Sequence, residues 1–95
     1  MTDEKSGLVN YMEDAVRSVL EEMLQGEAYR DAGVDEKLKL DAMAYTLNRL
    51  PPKYVVSERG HLYTRVQELR HQFRTDILVE LTKALQHVIA HPRPK

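Results

Sequence analysis

Between Thr64 and Pro92 no glycine or proline interrupts the chain. Within that stretch Val66, Leu69, Phe73, Ile77, Leu81, Leu85 and Val88 recur at helical spacing. Thr64 followed by Gln67 has the spacing of a capping box, and His91-Pro92 is a stop. The pattern predicts one long C-terminal helix from about 64 to 90. Roughly 26 residues at ~1.5 Å each span ~39 Å. A compact chain of 95 residues has a radius of gyration of ~12 Å and a diameter of ~32 Å. A helix longer than its own domain must protrude, bend or pack on a second copy. Because the stripe stays apolar as far as Val88, the expectation is a dimer.

The rest of the chain reads as two further helices and a connector. Val9, Met12, Val16, Val19, Leu20, Met23 and Leu24 mark a helix over 7–25, with Ser6 as its cap and Gly26 at its end. Residues 26–35 are polar and carry Gly26 and Gly33, the composition of a loop. Asp35 is placed to cap a second helix over 36–49, with a stripe of Leu40, Met43, Ala44, Leu47 and Leu50. Pro51-Pro52 ends it. Tyr54-Val55-Val56 and His61-Leu62-Tyr63, on either side of Ser57-Glu58-Arg59-Gly60, have the composition of a small hairpin. The fold class expected is mainly α: a three-helix domain with a short extended or hairpin connector before the long C-terminal helix, packed as a dimer. A single domain over 7–91 is expected, with tails at 1–6 and 92–95.

Composition narrows the function by exclusion. The chain is 42% hydrophobic and 31% charged, which is globular rather than disordered. It has no uninterrupted apolar run of ~18 residues, so no membrane span is expected. The acidic start Met1-Thr2-Asp3-Glu4-Lys5 does not read as a signal peptide, and a cytoplasmic location is expected. With no cysteine there is no disulfide, thiol chemistry or thiolate metal site.

The net charge of −1 conceals an asymmetry. Residues 1–36 hold three basic residues against ten acidic ones, a balance of −7. Residues 49–74 hold Arg49, Lys53, Arg59, Arg65, Arg70 and Arg74 against Glu58 and Glu68, a balance of +4. Tyr54 and Tyr63 lie in the same stretch, as do His61 and His71. Arginine suits phosphate because its planar fork donates in pairs. Helix N-termini add free N–H groups, and tyrosine rings can stack on a base. Arg70 falls within the apolar arc of Val66, Leu69 and Phe73, where it must snorkel, pair with an acid or face an anionic ligand. Glu80 intrudes on the same arc and is one such acid. A solvated basic face is the plain reading of such a run. Binding of polymeric DNA is disfavoured by the sequence pI of about 6.4.

Other constellations carry less. His87 and His91 have i, i+4 spacing suited to a shared metal, but no third ligand is in view, and a histidine near a helix C-terminus also favours the helix dipole. Asp41 near Lys37 and Lys39 reads as a surface ion pair. No nucleophile–base pair and no glycine-rich phosphate loop is present. Neither enzymatic activity nor a cofactor is expected.

Residues 39–54 read Lys-Leu-Asp-Ala-Met-Ala-Tyr-Thr-Leu-Asn-Arg-Leu-Pro-Pro-Lys-Tyr. This resembles the K-x-D-x-x-A-x-x-L-N-x-L-P-P-x-Y signature of the late competence protein ComFB family. Lys39, Asp41, Ala44, Leu47, Asn48, Leu50, Pro51, Pro52 and Tyr54 match it. The resemblance extends over about 8–90. It implies a small, mostly helical, non-catalytic dimer that acts as a receptor for c-di-GMP or c-di-AMP, linked to competence, motility and cell-size control. Some members carry zinc-holding cysteines between the first two helices. This chain has none, so that site is not carried over.

Resemblance and charge point to the same region. Asp41 and Asn48 are candidates for a base edge or for the turn that supports it, and Tyr54 for stacking. Lys53, Arg59, Arg65 and Arg70 are phosphate candidates on the charge argument alone. The structural alternative is that Leu47, Leu50, Pro51 and Pro52 are core and helix stop, with Asn48 a cap. The reading adopted is a cyclic dinucleotide receptor that signals to an unidentified protein effector. The alternative is a helical homodimer that docks an acidic protein partner without a small ligand.

Overall fold

The computed structural model describes residues 7–56 and 62–91, with side chains in the second stretch from Val66 onward. Six elements follow in order: β1 (Leu8–Asn10), α1 (Tyr11–Leu24), α2 (Glu36–Leu47), β2 (Tyr54–Val56), α3 (Leu62–Gln72) and α4 (Arg74–Ala90). The fold is mainly helical, as the periodicity predicts. Among the described residues no helix is long and apolar enough to cross a membrane.

The first helix starts later than its stripe suggests. Asn10 has extended backbone and its side chain accepts from Met12 N, so α1 begins at Tyr11. Leu8 and Val9 are strand, because they have a partner that local pattern does not show. β1 pairs antiparallel with β2, Leu8 opposite Val56, Val9 opposite Val55 and Asn10 opposite Tyr54. The expected hairpin between 54–56 and 61–63 is therefore corrected: Tyr54–Val56 takes its partner from the far N-terminal side, and Leu62 and Tyr63 are helical. Ser6, Ser57 to Gly60 and His61 lie outside the described residues, as do both tails.

α1 buries Met12, Val16, Val19 and Leu20 completely, in line with its stripe. Glu13 and Asp14 sit in its first turn, where a negative charge complements the helix dipole. In the connector to α2, Gly33 has φ 73°, a left-handed value that an L side chain adopts only with strain. Asp35 accepts from Leu38 N at 2.9 Å and caps α2 as expected. The buried face of α2 is rotated from the predicted one. Ala42, Met43 and Thr46 are buried, whereas Leu40 is 49% exposed and Ala44 is exposed. Small side chains explain the rotation: α2 packs on α4, and Ala42, Thr46 and Ala84 are all fully buried. The Thr46 hydroxyl is buried there with no hydrogen-bond partner among the described residues.

The expected single long helix is two. Phe73, at φ −108° and ψ 16°, separates α3 from α4. No proline or glycine marks the break. α3 packs on α1 and α4 on α2, so the chain must turn to follow both. The predicted stripe is still the buried one, with Ile77, Leu81 and Leu85 fully covered. α3 starts at Leu62, which places Thr64 inside the helix rather than at its cap. At ~1.5 Å per residue α4 is about 25 Å long, within the 38 Å longest dimension of the molecule. The overlong helix that argued for a dimer is thus absent.

Candidate functional site

Two prolines carry the chain out of α2 in extended form, and Lys53 is the first residue able to hydrogen-bond through its N–H. That N–H donates to Asn10 Oδ1 at 2.8 Å. Tyr11 N donates to the Lys53 carbonyl at 2.9 Å. Asn10 Oδ1 also accepts from Met12 N at 3.1 Å. One side-chain oxygen therefore caps α1 and anchors the 51–56 connector.

This anchoring sets Lys53 and Tyr54 at the rim of a cleft of about 240 Å³, lined also by Tyr11, Val55, Glu68, Leu69 and Gln72. The Lys53 ammonium lies 5.1 Å from the centre of the Phe73 ring. The Tyr54 side chain belongs to a residue 59% exposed, with its ring available to a ligand. Apolar walls with one ammonium, one carboxylate and one amide make a surface that can take an aromatic ring and its polar edge. Glu68 and Gln72 were absent from the sequence candidates. Their only signal was i, i+4 spacing on α3, which no partner motif highlighted.

The other flank of α3 is different. Gln67, Arg70, His71 and Arg74 line a groove of about 220 Å³. Arg70 hydrogen-bonds Glu22 Oε2, and Arg74 Nη2 lies 3.0 Å from Glu22 Oε1. The two guanidinium groups thus converge on one carboxylate of α1. The hydrogen bonds from Arg70 and then Arg74 hold the Glu22 carboxyl below its ordinary value of 4.5. At ~100° per residue the residues of the two clefts fall on opposite flanks of α3, with the exposed His71 on the ridge between. Arg70 is therefore a half-buried ion-pair member, and one protomer does not bring it together with Lys53 and Tyr54. Glu80 is not its partner: it pairs with Lys83 at 3.8 Å.

Asp41 and Asn48 line neither cleft. Asp41 is half-buried on α2 and, like Lys37, already engaged. Asn48 is the C-cap residue of α2, with its N–H donating to the Ala44 carbonyl at 3.1 Å. Arg59 and the side chain of Arg65 lie outside the described residues, as does that of Tyr63. Arg49 stacks on the Tyr45 ring at 3.6 Å and donates to the Tyr45 carbonyl at 2.8 Å. Tyr45, His87 and His91 continue as a column of tilted rings, with centroids 5.7 and 5.1 Å apart. Among the described residues no three His, Cys, Asp or Glu side chains are grouped to share a metal. A further basin, about 540 Å³, lies between the end of α1, the loop after it and the start of α2, and is lined by none of the predicted site residues.

The comparisons with known proteins follow the same fold. The sequence model of the family described as late competence development protein ComFB matches residues 9–92. The chain belongs to the ComFB family. A solved structure, the late competence protein ComFB from Bacillus subtilis, is similar with a TM-score of 0.73 at 23% identity, covering 92% of this chain and 96% of that one. No curated protein matches the chain significantly. In this chain the Leu-Asn-x-Leu-Pro-Pro-x-Tyr run is the end of α2, the proline exit and the first residue of β2. Leu50 is buried, while Asn48, both prolines and Tyr54 are exposed.

Proposed function

We propose that this ComFB protein is a non-enzymatic receptor for a cyclic dinucleotide, c-di-GMP or c-di-AMP, which binds at the Lys53–Tyr54 cleft and is signalled onward to a protein partner. The observation that carries this reading is the pairing of an exposed Tyr54 ring with the Lys53 ammonium at one cleft mouth. Tyr54 stacks on a purine, Glu68 accepts from a base edge, and Lys53 meets a phosphate. Arg59 and Arg65 remain phosphate candidates by charge. Asp41 and Asn48, which line neither cleft, are not among the proposed contacts.

The cleft volume of about 240 Å³ is below the ~300–1,000 Å³ that encloses a whole drug-sized ligand. It suits one nucleotide half. A two-fold homodimer supplies two such clefts to a ligand with two-fold symmetry. The face for pairing is the outer side of the small sheet, where Leu8 is 71% and Val56 69% exposed. Titration calorimetry with c-di-GMP and c-di-AMP, with linear dinucleotides as controls, tests the reading. Saturable heat with a cyclic form supports it, and its absence with both cyclic forms removes it. The second reading, a dimer that docks an acidic protein, then leads, and the cationic groove of Arg70, His71 and Arg74 favours it.

A further inference from the structure

The two arginines that line the groove already hold an anion of the protein's own. Two guanidinium groups that meet on one point present several N–H donors to a single oxyanion. Here the oxyanion is the Glu22 carboxylate, one oxygen toward each arginine. Glu22 and Arg74 are each nearly half exposed, at 47% and 45% of their side chains, so the pair is open to exchange with solvent species. Gln67 and His71 complete the groove with further donors. Phe73, the N-cap residue of α4, offers no side-chain cap. The first N–H groups of α4, beginning with that of Arg74, thus lie close by in sequence with no capping side chain.

We infer that Arg70 and Arg74 form a seat for a phosphoryl oxyanion, kept closed by Glu22 as an internal counter-ion that the ligand must displace. A phosphoryl group fits the seat better than a carboxylate because its tetrahedral oxygens reach both forks and the groove donors at once. The oxyanion is either a phosphodiester of the messenger, in which case the inference rests on the receptor reading, or a free phosphoryl ion. Exchange has a structural output in both cases. Glu22 lies in the last turn of α1, while Arg70 and Arg74 flank the Phe73 corner. Displacing Glu22 unfastens α1 from that corner.

The test compares the full chain with Glu22→Gln, Arg74→Ala and the double variant, each checked for folding by thermal melting. The probes are inorganic pyrophosphate, c-di-GMP and c-di-AMP, followed by calorimetry and by backbone amide shifts. Glu22→Gln should bind pyrophosphate about two- to fivefold more tightly than wild type, the gain that loss of an exposed ion-pair competitor allows. Arg74→Ala and the double variant should both lose that binding, with wild-type shifts centred on 70–74 and 22. A parallel gain for a cyclic dinucleotide assigns the seat to the messenger, and a gain for pyrophosphate alone assigns it to a free phosphoryl group. Equal pyrophosphate affinity in all four proteins overturns the inference, whatever the messengers do. A wild type that binds no messenger while Glu22→Gln still gains pyrophosphate removes the receptor reading and leaves the seat standing.

Discussion

Asn10 and Lys53 are 43 residues apart and share a 2.8 Å hydrogen bond from the Lys53 N–H to the Asn10 carboxamide oxygen. The same oxygen caps α1 at Met12 N. Asn10→Ala removes both at once. A lost cap costs about 0.5–2 kcal/mol, and an orphaned part-buried N–H adds about 1 kcal/mol or more. Urea unfolding should show about 2 kcal/mol of lost stability. Asn10→Asp keeps the acceptor and should lose clearly less; equal losses would mean that the oxygen is not what matters.

Thr46 offers the opposite sign. Its hydroxyl is fully buried without a hydrogen-bond partner among the described residues. An unsatisfied buried polar group costs about 1–3 kcal/mol, and valine has nearly the same shape. Thr46→Val is expected to raise the unfolding midpoint, with a gain of about 1 kcal/mol. A drop in the midpoint would show that the hydroxyl is bonded in solution.

The Glu22 clasp sets a pH dependence. The Arg70 and Arg74 hydrogen bonds depress the Glu22 carboxyl below 4.5 in the folded protein. Its contribution is therefore fully present above the unfolded value and is lost as pH falls through the folded one. Wild type should exceed Glu22→Gln in stability at neutral pH, and the two should converge in acid. Carbon-detected NMR titration should place Glu22 below its ordinary value, and Arg74→Ala should move it upward.

Tyr54 and Lys53 separate binding from folding. The exposure of Tyr54 lets Tyr54→Ala fold normally. Loss of a stacked base costs about 1–3 kcal/mol of affinity, which is roughly five- to 150-fold. Calorimetry on a cyclic dinucleotide should read that loss for Tyr54→Ala and a similar one for Lys53→Ala. Unchanged affinity in both would move the ligand elsewhere.

Pairing of copies is tested on the sheet. Val56 and Leu8 lie opposite each other on its outer face. Val56→Glu places a charge where apolar contact is expected. Sedimentation should find wild type as a dimer and the variant as a monomer with unchanged circular dichroism.

Much of this architecture was legible. Asp35 announced the start of α2, Pro51-Pro52 its exit, and Met12 through Leu20 the face of α1 that is buried. These are local signals, readable within a few residues. What failed depended on distant partners. Leu8-Val9 became strand because Val55-Val56 lies alongside, and no periodicity reports a neighbour that far along the chain. Ala42 and Thr46 form the buried face of α2 because α4 comes close, a matter of size rather than hydrophobicity. Lys53 and Tyr54, singled out by charge and motif, line one cleft. Arg70 was correctly placed on the apolar arc, but its partner Glu22 was visible only as one of ten acids in the N-terminal stretch.

The corner at Phe73 governs how the second half of the chain answers changes in length. An unbroken helix fixes the angular phase of every side chain at ~100° per residue. The corner keeps the stripe but bends its axis, so one apolar stripe is divided between two addressees, α1 before it and α2 after it. A residue added within α4 would swing Leu85 and Val88 away from the core. One added beside Phe73 would disturb the corner itself, where the Phe73 N–H donates to the Leu69 carbonyl and the Ile77 N–H to the Phe73 carbonyl.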